Sequence, residues 1–447
     1  MEVCFLSGAT LAALAPDEFE GKTAKAVKQA LAFQTGVTRF KQRLFSEDGS
    51  EIPDDQVFTS APVKLQMVVL DFYPADAQRN QQVISASMDN DLIALEKILN
   101  SPSNPNVTDE RGNTPLHNAA MEGHVESMQL LLEAGAEKDP PGNQRMTPLH
   151  LAAMHGHFDA VRHLVEVGAD KEQAENRGAT PLYVAAMHGH LDVVRHLVEV
   201  GADKDQAENR GGTPLYVAAM IGHLDVVRHL VEVGADKDQA RNSGATPLYV
   251  AADQGHLDVV RHLVEVGADK DQAENSGATP LYVAAQEGHL DVVRHLVQVG
   301  ADKDRAANGG ATPLYIAAQE GHLDVVRRLV EVGADKDQAQ NSGATPLYIA
   351  AERGHLDVVR HLVEAGADKD QAKNSGATPL FIAARNGHLD VVRHLVQVGA
   401  DKDQAVNSGA TPLFIAAENG HLDVVRHLVE VGADKDQGNN SGNTSQE

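Results

Sequence analysis

The sequence predicts a mainly α-helical solenoid of two-helix units, preceded by a small α+β domain. Three observations predict it. The tripeptide Thr-Pro-Leu begins at Thr114, Thr147, Thr180, Thr213, Thr246, Thr279, Thr312, Thr345, Thr378 and Thr411, always 33 residues apart, and a fixed period of that size marks a stacked array. Aromatic residues make up only 4% of the chain and Trp is absent, which suits thin layers of Ala, Val and Leu better than one large core. Residues 1–72 carry no copy of the repeat and read instead as short strands around one helix.

In chain order, residues 3–15 come first. They are apolar enough to resemble a secretory leader, and Ala13-Leu14-Ala15 resembles a cleavage site. Glu2 stands where a leader carries positive charge, so the segment reads as strands over 3–6 and 11–14, joined by Ser7-Gly8-Ala9. A helix is expected over 23–33 with Val27, Ala30 and Leu31 on one side, then strands over 40–45 and 63–70. Strand alternation turns Phe40, Gln42 and Leu44 one way and Lys41, Arg43 and Phe45 the other. It likewise puts Leu65, Met67 and Val69 in the core, with Lys64, Gln66 and Val68 outside. The run from Gly36 through Arg43-Leu44-Phe45, Glu47-Asp48-Gly49 and Leu65-Gln66-Met67-Val68 resembles ubiquitin-like (β-grasp) domains in order and spacing. The resemblance implies a partner-binding patch at Arg43, Phe45, Gln66 and Val68; the alternative is that Phe45 packs on the linker or the first repeat. The terminal Gly-Gly of conjugated members is missing, since the strand runs into Asp71-Phe72-Tyr73-Pro74, which implies a fixed domain and not a transferable tag. A linker is expected over 73–80.

A degenerate unit over 81–112 comes next, carried by Val83-Ile84-Ser85-Ala86-Ser87 and residues 92–99, in register but without Thr-Pro-Leu. Ten full units over 113–437 and a disordered tail over 438–447 complete the chain. Residues 178–210 typify a unit. Thr180 is an N-cap and Pro181 fits the first helical position, where no N–H is needed. Helix A then runs to His188 and Gly189 ends it. Helix B is expected from Leu191 to about Val200, and residues 202–211 read as a polar hairpin. On helix B, Asp192, Arg195, His196 and Glu199 form one narrow wet stripe, and the rest is apolar. Helices this short do not persist alone in water, so neighbouring units must cover them, and stability becomes a sum of unit and nearest-neighbour terms.

Thr180-Pro181-Leu182, Ala185-Ala186, Gly189-His190-Leu191, Val193-Val194 and Gly201-Ala202-Asp203 together resemble the ankyrin repeat, over roughly residues 81–437. The resemblance implies a curved stack of helix pairs with hairpins along one edge and a concave binding face. There are departures. The histidine after Thr-Pro-Leu survives only as His117 and His150, giving way elsewhere to Tyr183, Phe381 and their equivalents. Lys204 and its repeats stand where the family has an apolar residue, and Arg145 replaces a glycine in the irregular Pro140-Pro141-Gly142 loop. The final unit lacks a polar cap, so its outer face is expected to be soft.

Composition narrows the functions. A formal net charge of −26 opposes nucleic acid and anionic membranes and would steer basic partners. The first 71 residues hold seven basic and ten acidic side chains, so most of that charge lies in the array. Cys4 is the sole cysteine, which forbids an intrachain disulfide and suggests a cytoplasmic setting. No metal or cofactor is expected. The 22 histidines recur as structure; His190 and His196 fall on different helix faces, and His155-Gly156-His157 reads as a turn. Carboxylates at the positions of Asp203 and Asp205 recur in every full unit and read as solvated hairpin charges, with calcium as a lesser alternative. No phosphate loop, dinucleotide fingerprint or nucleophile elbow occurs, so an enzyme is not expected.

Copies can be compared with one another. Helix B hardly varies, whereas the pair ending helix A does: Met187-His188, Met220-Ile221, Asp253-Gln254, Gln286-Glu287, Gln319-Glu320, Glu352-Arg353, Arg385-Asn386 and Glu418-Asn419. So does the hairpin position Glu175, Glu208, Arg241, Glu274, Ala307, Gln340, Lys373 and Val406. The resemblance places both on the concave face. The expectation is a monomeric, non-catalytic scaffold binding a protein there, with Met220-Ile221 as an apolar anchor. Alternatives are a passive spacer or cytoskeletal linker, or a non-catalytic subunit of a ubiquitin-pathway complex. Neutral drift after duplication would also give such variation.

Overall fold

The computed structural model describes residues 2–5, 10–13, 19–59, 64–72 and 76–436. The chain divides into two compact units, residues 1–209 and 210–447, and each is taken by itself.

The first unit opens with β1 (Glu2–Phe5), β2 (Thr10–Ala13), helix α1 (Ala24–Thr35), β3 (Gln42–Phe45) and β4 (Lys64–Val69). Among the described residues the sheet order is β2-β1-β4-β3, with β1 parallel to β4 and both outer pairs antiparallel. Thr23 caps α1 by accepting the Ala26 N–H, and Gly36 closes it in the left-handed region. Val27 and Leu31 then meet Val3, Phe19, Leu44, Leu65 and Met67 in one core. The alternation of β3 holds: Gln42 is fully buried, and its amide donates to the carbonyls of Lys28 and Val37.

Three expectations here need correction. Val69 is not core; it ends β4 and is 40% exposed. Ala30 is half-buried while Lys28 takes the buried place, because its ammonium reaches Asp54 at 2.6 Å. Half of the expected linker is helix, since α2 (Ala77–Met88) begins with Asp76 as its N-cap. Residues 73–75 and the tail at 437–447 lie outside the described residues.

Helices α2 and α3 (Leu92–Asn100) are the degenerate unit, followed by α4 (Pro115–Glu122) and α5 (Val125–Glu133). The small domain is clasped to them. Arg39, 3% exposed, donates to Glu133 at 2.8 Å and Glu96 at 3.1 Å; Lys25 reaches Glu96 at 2.6 Å. Gln29 adds a bond to Glu133, and the Arg43 guanidinium donates to the Asn100 carbonyl at the end of α3. Partial burial opposes ionisation of Glu96, but Lys25 and Arg39 outweigh it and hold its carboxyl below the usual value.

Each full unit repeats one local structure. Thr180 accepts the Tyr183 N–H, helix A covers Pro181–His188, and Gly189 ends it at φ 76°. Helix B covers Leu191–Glu199, one residue shorter than expected, and buries Val193, Val194 and Leu197. The alanine pairs of helix A are buried, as close backbone packing requires, save Ala417 of the last repeat, which is half-buried. His196 leaves the wet stripe: its Nε2 is buried without a partner among the described residues, and its ring meets Phe158 of the preceding unit edge-on at 5.6 Å. In the irregular loop, Gln144 and Arg145 adopt φ 54° and 63°; Arg145 stands where other units place a glycine such as Gly178.

The second unit, by itself, repeats the same helix pair up to the helix Leu422–Glu430. There Leu422 is 65% exposed, and Val425 is only half-buried where its counterparts are covered.

Candidate functional site

The seams between units decide which side chains remain free. Within each compact unit, most histidines that open a helix B donate from Nε2 to the carbonyl of the first variable residue in the preceding repeat; His124 instead meets Ser87 O through Nδ1. In the first unit His157 bonds Met121 O and His190 bonds Met154 O, both at 2.9 Å. In the second, His256 bonds Met220 O at 3.1 Å, His289 bonds Asp253 O at 2.9 Å, His322 bonds Gln286 O at 2.9 Å, and His388 bonds Glu352 O at 2.9 Å. These partners are 36 residues away in sequence. The glycine ending helix A gives each ring room: a Cβ on Gly156 would lie 2.5 Å from His190 Nδ1.

The hairpins interlock too. Asp269 N–H donates to Asp238, Asp302 to Asp271 and Asp335 to Asp304, at 2.8–2.9 Å. Lys237 and its equivalents pair with the aspartate that follows, as Lys237 does with Asp238 at 3.3 Å. The second aspartate of each such hairpin is therefore a seam acceptor, not merely a solvated charge, while the first accepts the N–H of the second, as Asp236 does from Asp238. Lys138 caps the next helix B by donating to the Val167 and Gly168 carbonyls, a favourable place for a cation. Asparagine side chains extend the ladder, Asn275 donating to Asn242 O and Asn308 to Asn275 O.

Against this background the variable pairs contribute backbone to the seams, except that the Asn386 and Asn419 side-chain amides donate to Glu352 O at 2.8 Å and Arg385 O at 2.9 Å. The first member is half-buried at Met187, Met220, Asp253, Gln286, Gln319 and Glu352; the second is exposed at His188, Ile221, Gln254, Glu287, Glu320 and Arg353. Both members are exposed at Arg385-Asn386 and Glu418-Asn419. Ile221 is 44% exposed beside half-buried Met220, so the apolar anchor is largely its isoleucine.

Sequence reasoning treated the tyrosines only as replacements for histidine. In the second unit they form a row under the variable positions. The variable hairpin residue covers the ring in two repeats: Arg241 lies 5.4 Å from the Tyr216 centroid and Lys373 lies 5.0 Å from that of Tyr348. Burial raises the hydroxyl pKa of Tyr249, Tyr282, Tyr315 and Tyr348, and nearby carboxylates raise it further: Glu274 and Asp253 for Tyr249, Glu320 for Tyr282, and Glu352 for Tyr315, which is pushed up to about 12. The row therefore presents neutral hydroxyl groups at physiological pH. Its signal was visible in the sequence as a tyrosine at one phase of the period.

Where His117 and His150 remain, Nδ1 meets the capping threonine and Nε2 bonds the next unit's backbone, at Met146 O and Ala179 O. Burial lowers both pKa values. The His155–His157 pair has its ring nitrogens on the Leu151 and Met121 carbonyls. His188-Gly189-His190 repeats its spacing and was overlooked. No three metal-ligating side chains converge among the described residues.

On the small domain, Arg43 is opposite Val68 and Phe45 opposite Gln66 across β3 and β4, so the four expected patch residues are neighbours. Arg43 is not free: it bonds Asn100 O and pairs with Glu51 at 3.2 Å. Phe45, Gln66 and Val68 are half-buried.

A family model described as ankyrin repeats (3 copies) matches residues 83–175, 167–241, 233–307, 304–373 and 365–439. No curated protein matches the chain. No helix among the described residues is long and apolar enough to cross a membrane.

Proposed function

The chain belongs to the ankyrin-repeat family, and from that premise we propose that it is a non-catalytic scaffold gripping a protein partner along the helix A ends and hairpins, the concave face in this family. Ankyrin repeats are protein–protein interaction modules. One observation carries the reading here. The seams engage backbone carbonyls at the variable positions and the constant histidines, so variable side chains such as those of Gln254, Glu287 and Glu320 project free of the interlock. A passive spacer needs no such division. The acidic charge favours a basic partner, and a lone cysteine suits a cytoplasmic monomer.

The test uses the full chain with a photo-crosslinking amino acid at Gln254 or Asn386 on the groove, or at Asp258 or Asp390 on the outer helix. One shared adduct from the groove positions alone is the expected result. Equal capture from the outer positions, or none from either, would remove this reading.

A second reading concerns the small domain. The order β2-β1-β4-β3, with its first and last strands parallel, supports a ubiquitin-like domain docking to a ubiquitin-pathway component. Its contact surface narrows to Phe45, Gln66 and Val68, because Arg43 is engaged by the array. Binding of a candidate component that survives both Phe45→Ala and Val68→Ala would remove it.

A further inference from the structure

The face assigned above is not uniform along the second unit. Asp253, Glu287, Glu320 and Glu352 occupy four consecutive repeats. Three of them accept only a neutral neighbouring amide, from Gln254 at 2.7 Å, Gln286 at 3.0 Å and Gln319 at 2.8 Å, and none of the four is ion-paired among the described residues. The tyrosine row runs beneath them, within reach of their charge. Beyond the acidic stretch the sign reverses at Lys373 and Arg385; at its other end lies Met220-Ile221.

A second observation marks this face as a place for a ligand. Tyr348 is 2% exposed and its hydroxyl has no hydrogen-bond partner among the described residues. It sits where acid gives way to base, beside Glu352 and Arg385 and with Lys373 over its ring. A buried hydroxyl left unsatisfied is costly.

Cations are stabilised over aromatic faces, and their bonds to carboxylates are stronger when both groups are charged. Successive helices A pack about 8–10 Å apart, and an extended chain rises about 3.3 Å per residue. One unit therefore spans about three residues of an extended ligand.

We propose that this face holds an extended polypeptide segment with Arg or Lys at every third residue, one cation per unit between carboxylate and tyrosine. An apolar residue lies at its Met220-Ile221 end and an acidic one at its Lys373–Arg385 end. The proposal rests on the protein-docking reading and names the partner's chemistry.

The test measures fluorescence anisotropy of two synthetic peptides of about 16 residues, enough to cross five units at that rise. One peptide has four arginines at period three, flanked by Leu and Glu; the other has the same composition with its arginines contiguous. At about 150 mM salt, where long-range attraction is screened, the spaced peptide should bind at least about tenfold tighter. Asp253→Asn/Glu287→Gln/Glu320→Gln/Glu352→Gln should weaken it by a similar factor. Asp258→Asn/Asp291→Asn/Asp324→Asn/Asp357→Asn, removing equal charge from the exposed outer helices, should change it less than about twofold. Equal binding of both peptides, or equal loss in both variants, would overturn the proposal by reducing it to attraction by net charge. Crosslinks from Gln254 and Asn386 with no binding of the spaced peptide would leave protein docking standing and remove this occupant alone.

Discussion

Two glycines of one repeat separate backbone strain from the seam. Gly288 follows helix A at φ 77° and Gly300 follows helix B at φ 78°. An alanine at either must accept the left-handed conformation, which costs about 1–2 kcal/mol. At Gly300 nothing lies within 4 Å of the new Cβ, so strain is the whole effect. At Gly288 the Cβ would lie 2.7 Å from His322 Nδ1. The ring must move, which endangers its 2.9 Å bond to Gln286 O. Overpacking costs about 1–3 kcal/mol and a lost hydrogen bond about 1 kcal/mol. Gly288→Ala should therefore cost about 3–6 kcal/mol and Gly300→Ala about 1–2 kcal/mol. Long arrays depart from two-state unfolding, so the assay is native-state hydrogen exchange across the helices Leu290–Gln298 and Leu323–Glu331. Adding His322→Ala should relieve the clash, leaving Gly288→Ala/His322→Ala close to His322→Ala alone apart from the strain. Equal effects of the two glycine substitutions would refute the seam argument.

Other outcomes follow from the same structure. Arg39→Met should leave Glu96 to Lys25 alone and Glu133 to the Gln29 amide alone, loosening the small domain by less than the about 3–5 kcal/mol of a fully buried pair, in proportion to the carboxylates' exposure; limited proteolysis of residues 19–72 reads it. Because the Glu96 pKa is depressed in the folded chain, its share of that clasp is present above its unfolded pKa and is lost as pH falls through the folded value, which exchange of α1 amides should follow. Burial, then Arg261 and Arg360, lower the pKa values of His295 and His394 despite opposing Glu265 and Glu364. Their contribution to stability therefore declines as pH drops below about 6.5, and His295→Gln/His394→Gln should flatten the dependence of Tm on pH in that window. Residues 411–436 should exchange faster than residues 312–344, since Leu422 and Val425 lack the cover of their counterparts.

The period, both helices of the unit and the β-β-α-β-β order were legible because each is written locally, in caps, alternation and apolar spacing. What was missed lies across distance. The bond from His322 to Gln286 O spans 36 residues, and no helical wheel contains it. His196 read as wet because the wheel of one helix omits the preceding unit, which covers its ring with Phe158. Asp238 read as a solvated charge for the same reason: its acceptor role exists only once Asp269 arrives. The start of α2 was hidden because Gln78, Arg79, Asn80, Gln81 and Gln82 show no apolar rhythm. The tyrosine row was visible as spacing, but its meaning needed the cations of Arg241 and Lys373 above it.

A joint built from one histidine and one main-chain oxygen has a further consequence. Since any residue can supply the accepting carbonyl, from Met220 to Asp253 to Arg385, blocks of 33 residues are interchangeable parts. Unequal recombination between copies can insert, drop or reorder whole blocks while every joint still closes. Each such event redraws the outward chemistry in a single step, so this chain can evolve new specificities by splicing rather than by point change.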